Sequence, residues 1–138
     1  MINSRDIKDL HPVVAAKARA FIAACKKAGI DILITSTYRD NESQNAIYAQ
    51  GRTKPGRIVT YAKGGQSFHN YRLAFDFVPI VNGKAQWNDA RTFKRAREIG
   101  ESLGLEGLKF ETAHLQWTGG LTLAQLQKGK RPPDVQTA

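Results

Sequence analysis

The sequence has few of the residues that staple small secreted proteins or anchor a chain in a membrane. Cys25 is the only cysteine, which excludes an intrachain disulfide framework. The apolar runs are only a few residues long, whereas a membrane-spanning helix needs roughly 20, so we expect no stable membrane insertion. The segment 1–6 lacks the apolar core of a signal peptide and contains Asp6, so we expect synthesis in the cytoplasm.

Acidic residues are also scarce, because 12 Asp and Glu stand against 21 Lys and Arg and give a net charge of +9. This surplus favours an anionic partner without distinguishing nucleic acid, a membrane surface and a cell wall. With 41% apolar residues the chain is too hydrophobic for a disordered polycation. Its 138 residues suit one domain at roughly 100–200 residues per domain. We therefore expect a single domain over 1–138, monomeric, with a loose tail from about residue 128.

Helical and strand patterns follow one another without the regular alternation of a parallel sheet. Apolar spacing and capping residues predict helices over residues 12–28, 41–50, 89–103 and 121–127. Asp40 and Asn88 are the predicted caps of the second and third helices. The predicted strands cover residues 31–37, 73–79, 108–110 and 114–118. Asn82-Gly83 predicts a tight hairpin after the second strand. This order predicts an α+β domain with a mainly antiparallel sheet flanked by helices.

A long irregular segment over residues 51–66 contains Pro55 and four glycines. Between Gly51 and Phe75 there are five basic residues and no acid. A loop of this length inside a compact domain usually has a function, so a role facing the substrate is one interpretation. A solvated, variable surface loop is the other.

Two of the three histidines lie close in sequence to acidic residues. Asp76 has apolar neighbours on both faces of its predicted strand, and a buried carboxylate needs a partner or a metal ion. His69 precedes it by seven residues, while His114 begins the last predicted strand three residues after Glu111. Two imidazoles and a carboxylate with an open fourth position are typical of catalytic zinc, and a further glutamate can then accept a proton. A paired core aspartate and a surface histidine fit the same spacing.

Several linked motifs follow one another over nearly the whole chain. They comprise Tyr38-Arg39, Gln-Asn-Ala-Ile-Tyr-Ala-Gln-Gly-Arg-Thr over 44–53, Ser-Phe-His-Asn-Tyr over 67–71, Leu-Ala-Phe-Asp-Phe over 73–77, and the acid-x-x-His pair Glu111 and His114. This series resembles the peptidoglycan L-alanyl-D-glutamate endopeptidases of phage lysins and bacterial wall hydrolases. Those enzymes are relatives of the D-alanyl-D-alanine carboxypeptidases and dipeptidases.

The resemblance implies the D-alanyl-D-alanine-metallopeptidase (hedgehog-like) fold. It implies one Zn²⁺ per chain with His69, Asp76 and His114 as ligands, and Glu111 as the general base. It also implies that Arg39 contacts the substrate and stabilises charge on the scissile carbonyl. Two further residues match motif positions for substrate binding near the cleft, Gln44 and Ser67.

The implied function is zinc-dependent hydrolysis of the L-Ala–D-Glu bond in peptidoglycan stem peptides. A phage endolysin that is made in the host cytoplasm, acts on the wall after release and lyses the host fits the resemblance. A D-Ala-D-Ala carboxypeptidase or dipeptidase is the alternative on the same fold.

Two other classes of function remain open on the residues alone. Non-haem iron oxygenases also use two histidines and one carboxylate, but at closer His-x-Asp/Glu spacing. A nucleic-acid-binding module would use the +9 charge and the tyrosines. The basic residues are scattered over several elements, however, so we expect no nucleic acid partner.

The chain departs from the family pattern at two positions. Arg72 stands where the family has a glycine between the histidine and the aspartate. If the backbone there has a positive φ, arginine strains the turn by about 1–2 kcal/mol; otherwise the loop has a different shape. Glu111 stands where relatives often carry aspartate, and its carboxylate reaches one methylene further.

Overall fold

A computed structural model describes residues 1–135 and places one antiparallel sheet among four helices. The helices α1 to α4 span Pro12–Lys27, Asn41–Ala49, Ala90–Ser102 and Leu123–Gln127. The strands β1 to β5 span Asp31–Ser36, Ala74–Val81, Lys84–Ala85, Glu106–Leu108 and Glu111–Gln116. Across the sheet the order is β1-β2-β5-β4, and β3 pairs with the end of β2. The predicted α+β class with a mainly antiparallel sheet is confirmed.

The hydrophobic core lies between α1 and one face of β2. Phe21 of α1 is fully buried, and its ring centroid lies 5.7 Å from that of Phe75 and 5.0 Å from that of Phe77. Cys25 belongs to the same apolar stripe, and burial raises the pKa of its thiol to about 11. Because alternate residues of a strand point to opposite faces, this packing leaves Asp76 on the other face of β2.

A one-residue bulge in β1 sets the register opposite Asp76. Ile34 pairs with Phe77, but the next pair joins Ser36 to Asp76, so Thr35 is the extra residue. Such bulges bend a strand locally and are common beside active sites. On the other side of β2 the pairing is regular, and Asp76 lies directly opposite His114 of β5. Directly opposed residues share one face of the sheet, so these two side chains meet.

The last two strands and the third helix begin at other residues than predicted, with β4 beginning at Glu106 and not at residue 108. The last strand begins at Glu111 and not at His114, so both residues lie on β5. Its pairing with β4 is irregular between Gly107 and Leu108, which obscures the strand pattern in the sequence. Helix α3 is capped by Asp89, whose side chain accepts from the Thr92 N–H, and not by Asn88. An N-cap side chain reaches the N–H three residues later, and Asn88 lies one residue too early.

The segment after α4, predicted as a loose tail from about residue 128, makes specific contacts as far as Asp134. The Pro132 carbonyl oxygen lies 3.2 Å and Oδ1 of Asp134 lies 3.5 Å from Nε2 of His11, the N-cap residue of α1. The Arg131 guanidinium lies 5.0 Å from the ring centroid of Tyr71. Residues 136–138 of the predicted tail lie outside the described residues. Within residues 1–135, none of the helices has the length and apolar character that a bilayer span requires.

Candidate metal centre

Three side chains from separate elements converge beside the sheet. His69 lies on a 3-10 helix over Phe68–Tyr71, Asp76 on β2 and His114 on β5. One potential ligand atom from each lies within 4.8 Å of the other two. Nε2 of His69 is 3.1 Å from Oδ1 of Asp76, and Nδ1 of His114 is 3.6 Å from the same oxygen.

Backbone contacts fix the orientation of His69. Its Nδ1 lies 2.7 Å from the carbonyl oxygen of Thr37, so the Nδ1–H donates there and the Nε2 lone pair faces Asp76. Ser67 is the N-cap of the 3-10 helix, and its hydroxyl accepts from the His69 N–H at 3.2 Å. Asn70 completes a capping box by accepting from the N–H of Ser67. The imidazole is thus held with one nitrogen free to bind a metal ion.

A residue that the motifs did not identify orients His114. Here Nε2 contacts the protein partner and Nδ1 faces Asp76, the reverse of the arrangement at His69. Its Nε2 lies 2.7 Å from Oε1 of Gln116, two residues along β5, which leaves the Nδ1 lone pair directed at Asp76. Both His114 and Gln116 are buried. Hydrogen bonds of this kind to metal-ligating histidines fix the tautomer and ring orientation. The sequence pattern could have identified Gln116, because residues two apart on a strand, such as His114 and Gln116, share one face.

The two carboxylate oxygens of Asp76 face different residues. Oδ1 faces both histidines, while Oδ2 accepts from Nη2 of Arg39 at 2.9 Å. The remaining contacts of Arg39 are from Nε to Ser36 Oγ at 3.1 Å and from Nη1 to Gln44 Oε1 at 3.0 Å. Arg39 therefore holds the carboxylate so that a single oxygen is presented to the centre. It also lines the cleft beside it.

Burial and charge act in opposite directions on the titratable groups of the centre. Burial lowers the pKa of His69 even though Asp76 acts in the other direction, so the ring is neutral near neutral pH. Burial also opposes ionisation of Asp76, but His69 and His114 outweigh it and hold its pKa well below the usual range. Nε2 of His69 and Oδ1 of Asp76 lie 3.1 Å apart, a distance at which either a shared proton or a metal ion can join them. Two imidazoles and one carboxylate are a donor set of catalytic zinc sites.

A cleft of about 360 Å³ is lined by Asp76 and His114, while His69 lies buried behind them. Glu111 lines it, is about one third exposed, and places Oε2 4.0 Å from Nδ1 of His114. Residues three apart on a regular strand point to opposite faces, so the irregular pairing of β5 with β4 allows both side chains to face the cleft. Trp87 and Phe110 also line the cleft and are exposed.

The two residues predicted to bind substrate lie behind the cleft surface. Gln44 is fully buried; its Oε1 accepts from Arg39, and its Nε2 donates to the carbonyl oxygen of Ala62 at 2.9 Å. It connects Arg39 to the loop over residues 51–66. Ser67 is half-buried and caps the 3-10 helix that carries His69. Both side chains position other residues of the site, Gln44 through Arg39 and Ser67 through the 3-10 helix, and their predicted contact with substrate stays a prediction.

Arg72 adopts the left-handed conformation, with φ 66° and ψ 24°, at the end of the same 3-10 helix. The expectation of a positive φ at this position is therefore confirmed. A side chain other than glycine costs about 1–2 kcal/mol of strain there. Two contacts offset part of this cost. Nη1 donates to the Asp9 carbonyl oxygen at 2.8 Å, and the guanidinium lies 4.0 Å from the ring centroid of Tyr38.

The sequence matches a known family over most of its length. The profile of the VanY family, described as D-alanyl-D-alanine carboxypeptidase, matches residues 7–119. The peptidoglycan L-alanyl-D-glutamate endopeptidase CwlK of Bacillus subtilis (strain 168) is 42% identical over 113 residues. That match covers 71% of the chain and 64% of CwlK, so the chain spans less than two thirds of the length of this relative.

Solved structures with the same fold include two peptidases of this class. The vancomycin resistance D,D-pentapeptidase VanY, a mutant in complex with Zn(II), superposes with a TM-score of 0.60 at 17% identity, covering 83% of this chain and 76% of that one. The LD-carboxypeptidase LdcB gives a TM-score of 0.62 at 20% identity, covering 86% and 64%. At such identities the likeness concerns the fold, and it confirms the predicted metallopeptidase fold.

Proposed function

The chain belongs to the VanY family of D-alanyl-D-alanine carboxypeptidases, and from this premise we propose that it is a zinc-dependent peptidase of peptidoglycan stem peptides. The observation that carries the proposal is the convergence of His69, Asp76 and His114, two of which, Asp76 and His114, line an open cleft. Each of the three has its other polar atom engaged by a protein partner, as expected for ligands held ready for a metal ion.

The proposed scissile bond is the one between L-Ala and D-Glu. The support is the 42% identity to CwlK, a peptidoglycan L-alanyl-D-glutamate endopeptidase. The motifs over residues 38–77 agree with this branch of the family. A single stem peptide offers both this bond and the terminal D-Ala-D-Ala bond, so the products identify the activity directly.

The geometry supports separate roles for these residues in metal binding, proton transfer and charge stabilisation. His69, Asp76 and His114 would hold Zn²⁺, which when bound supplies a Lewis acid and a water nucleophile at neutral pH. Glu111 stands beside His114 at the open side of the centre, where its carboxylate can take a proton from the attacking water and return it to the leaving amine. Arg39 keeps Asp76 in place and directs positive charge towards the scissile carbonyl.

Mass spectrometry of a digest of purified peptidoglycan tests this proposal. The expected products carry a new N-terminal D-Glu. A chelator abolishes their formation, and added Zn²⁺ restores it. Cleavage at the full rate in excess chelator, with metal analysis showing no bound zinc, would refute the metal-dependent mechanism.

A D-Ala-D-Ala carboxypeptidase is the second candidate, because the matching family profile carries that description. Its product is free D-Ala, with the L-Ala–D-Glu bond intact. A stem pentapeptide and the corresponding tetrapeptide separate the two activities, since the tetrapeptide lacks the terminal D-Ala-D-Ala bond. Cleavage of the tetrapeptide between L-Ala and D-Glu supports the endopeptidase, and release of D-Ala from the pentapeptide alone supports the carboxypeptidase.

The proposed biological setting is that of a phage endolysin which reaches the wall of its host after release from the cytoplasm. Its support is the resemblance of the motifs over 38–77 to those of phage lysins. Expression inside bacteria, with and without a membrane-permeabilising protein, tests this setting. We expect lysis only when both proteins are present, and lysis without the second protein would contradict release by permeabilisation.

A further inference from the structure

A second groove continues from the metal-centre cleft towards the loop over residues 51–66. It has a volume of about 290 Å³ and shares Thr60, Phe110 and Glu111 with the cleft. Beyond it, Tyr61 and Phe110 border an open cavity of about 440 Å³. The three spaces form a continuous path from the proposed general base to these two aromatic rings.

The two rings are unusually exposed for this molecule. Phe110 is 81% exposed and Tyr61 is 75% exposed, whereas Phe21, Phe75 and Phe77 are fully buried in the core. Phe110 lies between β4 and β5, and Tyr61 lies in the long loop, so two separate segments bring the rings to one cavity. Exposed apolar groups gathered around a groove mark ligand-binding surfaces.

Basic side chains surround the two rings. Lys109 places Nζ 5.8 Å from the ring centroid of Phe110, and the Arg52 guanidinium lies 5.9 Å from that of Tyr61. Lys63 lies beside a third ring, with Nζ 5.4 Å from the ring centroid of Tyr48. The surroundings therefore combine flat apolar faces with N–H donors, which suits a ligand with an apolar face and oxygen-rich edges.

We propose that Tyr61 and Phe110 form a subsite for a pyranose ring of the glycan strand to which the stem peptide is attached. The inference rests on the proposed function and names a further part of its substrate. The two residues that flank the proposed scissile bond, L-Ala and D-Glu, have no aromatic or large aliphatic side chain that could cover two exposed rings. A pyranose ring has a flat C–H face, and its hydroxyl and carbonyl oxygens can accept from Lys109 and Arg52.

The position of the groove agrees with the chemistry of the substrate. In peptidoglycan, L-Ala is joined directly to the lactyl group of N-acetylmuramic acid, so the sugar lies one residue from the proposed scissile bond. Glu111 lines both the cleft and the groove, and Phe110 is its neighbour in the chain. A stem peptide bound for cleavage would therefore carry its sugar to the immediate surroundings of the metal centre.

Two matched substrates test the subsite: a disaccharide tetrapeptide and the same tetrapeptide without sugar. The readout is the ratio of kcat/KM for the first substrate to kcat/KM for the second. We expect Phe110→Ala and Tyr61→Ala each to lower this ratio by about tenfold, because stacking on one ring is lost. Phe110→Trp, which retains an aromatic face, should keep the ratio. Val81→Ala, at an exposed apolar residue on the hairpin end of β2, is the matched control and should leave the ratio unchanged.

Direct binding separates failure of the subsite from failure of the proposed function. The peptide-free disaccharide of N-acetylglucosamine and N-acetylmuramic acid is titrated into the wild-type protein while the ring resonances of Phe110 are followed by NMR. Saturable shifts that Val81→Ala keeps support the subsite, even if the wild type cleaves neither substrate and the proposed function fails. Absence of shifts, or equal losses on both substrates in Phe110→Ala, would overturn the subsite while leaving peptidase activity intact.

Discussion

The metal centre and the loop over residues 51–66 contribute to the same cleft but are built in opposite ways. At the centre, His69, Asp76 and His114 are largely buried, and a second hydrogen-bond partner fixes each side chain. In the loop, the basic side chains and Tyr61 project into solvent, and the backbone forms neither a helix nor a strand. Side-chain contacts therefore hold the centre in one arrangement, whereas the exposed side chains of the loop are available to a ligand.

Gln44 joins these two regions. One end of its amide accepts from Arg39 at the centre, and the other end donates to Ala62 in the loop. The difference between the regions therefore suggests that reaction chemistry depends on the strands and recognition on the loop. Substitutions on either side should affect different measured quantities.

The largest effect is expected at the proposed general base. Glu111→Gln retains the shape of the side chain but cannot accept a proton, so we expect kcat to fall by about 100- to 10,000-fold. Bound zinc, measured by metal analysis of the purified protein, should be retained. His114→Ala is the comparison and should lose both zinc and activity. Hydrolysis of peptidoglycan by Glu111→Gln at the wild-type rate would show that another group is the base.

A smaller effect, on zinc affinity, is expected at Gln116, which contacts the proposed ligand His114. Gln116→Leu removes the acceptor of the His114 Nε2–H and should weaken zinc binding by about 10- to 100-fold. Gln116→Glu keeps an oxygen acceptor and should retain the affinity. Competition with a chromophoric chelator measures both variants. Unchanged affinity in Gln116→Leu would mean that His114 is held without this contact.

Gln44→Leu tests the connection between the two regions. The substitution leaves buried donors of Arg39 with one acceptor fewer, so the free energy of unfolding should fall by about 1–3 kcal/mol. The loop also loses its contact at Ala62, and trypsin should cleave more readily after Arg57 and Lys63. Asn88→Leu, at an exposed amide, is the control for urea unfolding and for proteolysis. Equal proteolysis of wild type and Gln44→Leu would show that Gln44 does not restrain the loop.

The smallest effect concerns the backbone at Arg72. Arg72→Ala and Arg72→Gly both lose the contacts to Asp9 and Tyr38, but only glycine relieves the left-handed backbone. The glycine variant should therefore be more stable than the alanine variant by about 1 kcal/mol, measured by urea unfolding. The opposite order would indicate that the turn changes shape when the arginine is removed.

The elements that were predicted correctly are those whose signals are local. The stripe of α1 and the Asn82-Gly83 turn, with φ 52° and 75°, follow from spacing and turn chemistry within a few residues. The start of β5 was missed because its pairing with β4 is irregular there. Such a shift depends on the partner strand and leaves no period in the sequence.

In the candidate site, too, local motifs could be recognised in the sequence and long-range contacts could not. Resemblance brought His69, Asp76, His114 and Glu111 together, and their roles stay predictions until they are measured. The contact from His69 to the Thr37 carbonyl could not be foreseen, because any residue type supplies that oxygen and only the path of the chain places it. The burial of Gln44 could not be predicted from the sequence either, because its partners are Arg39, just after β1, and Ala62 in a distant loop.

The bulge at Thr35 has a consequence for how this part of the chain can change over evolution. Deleting that residue would restore regular pairing of β1 with β2 and would keep Ser36 opposite Asp76, because Thr35 is the extra residue of the bulge. The deletion would remove the local bend of the strand together with the Thr35 side chain, which lines the cleft. A change of length at this point would therefore alter the shape of the cleft and leave the pairing of Ser36 with Asp76 intact.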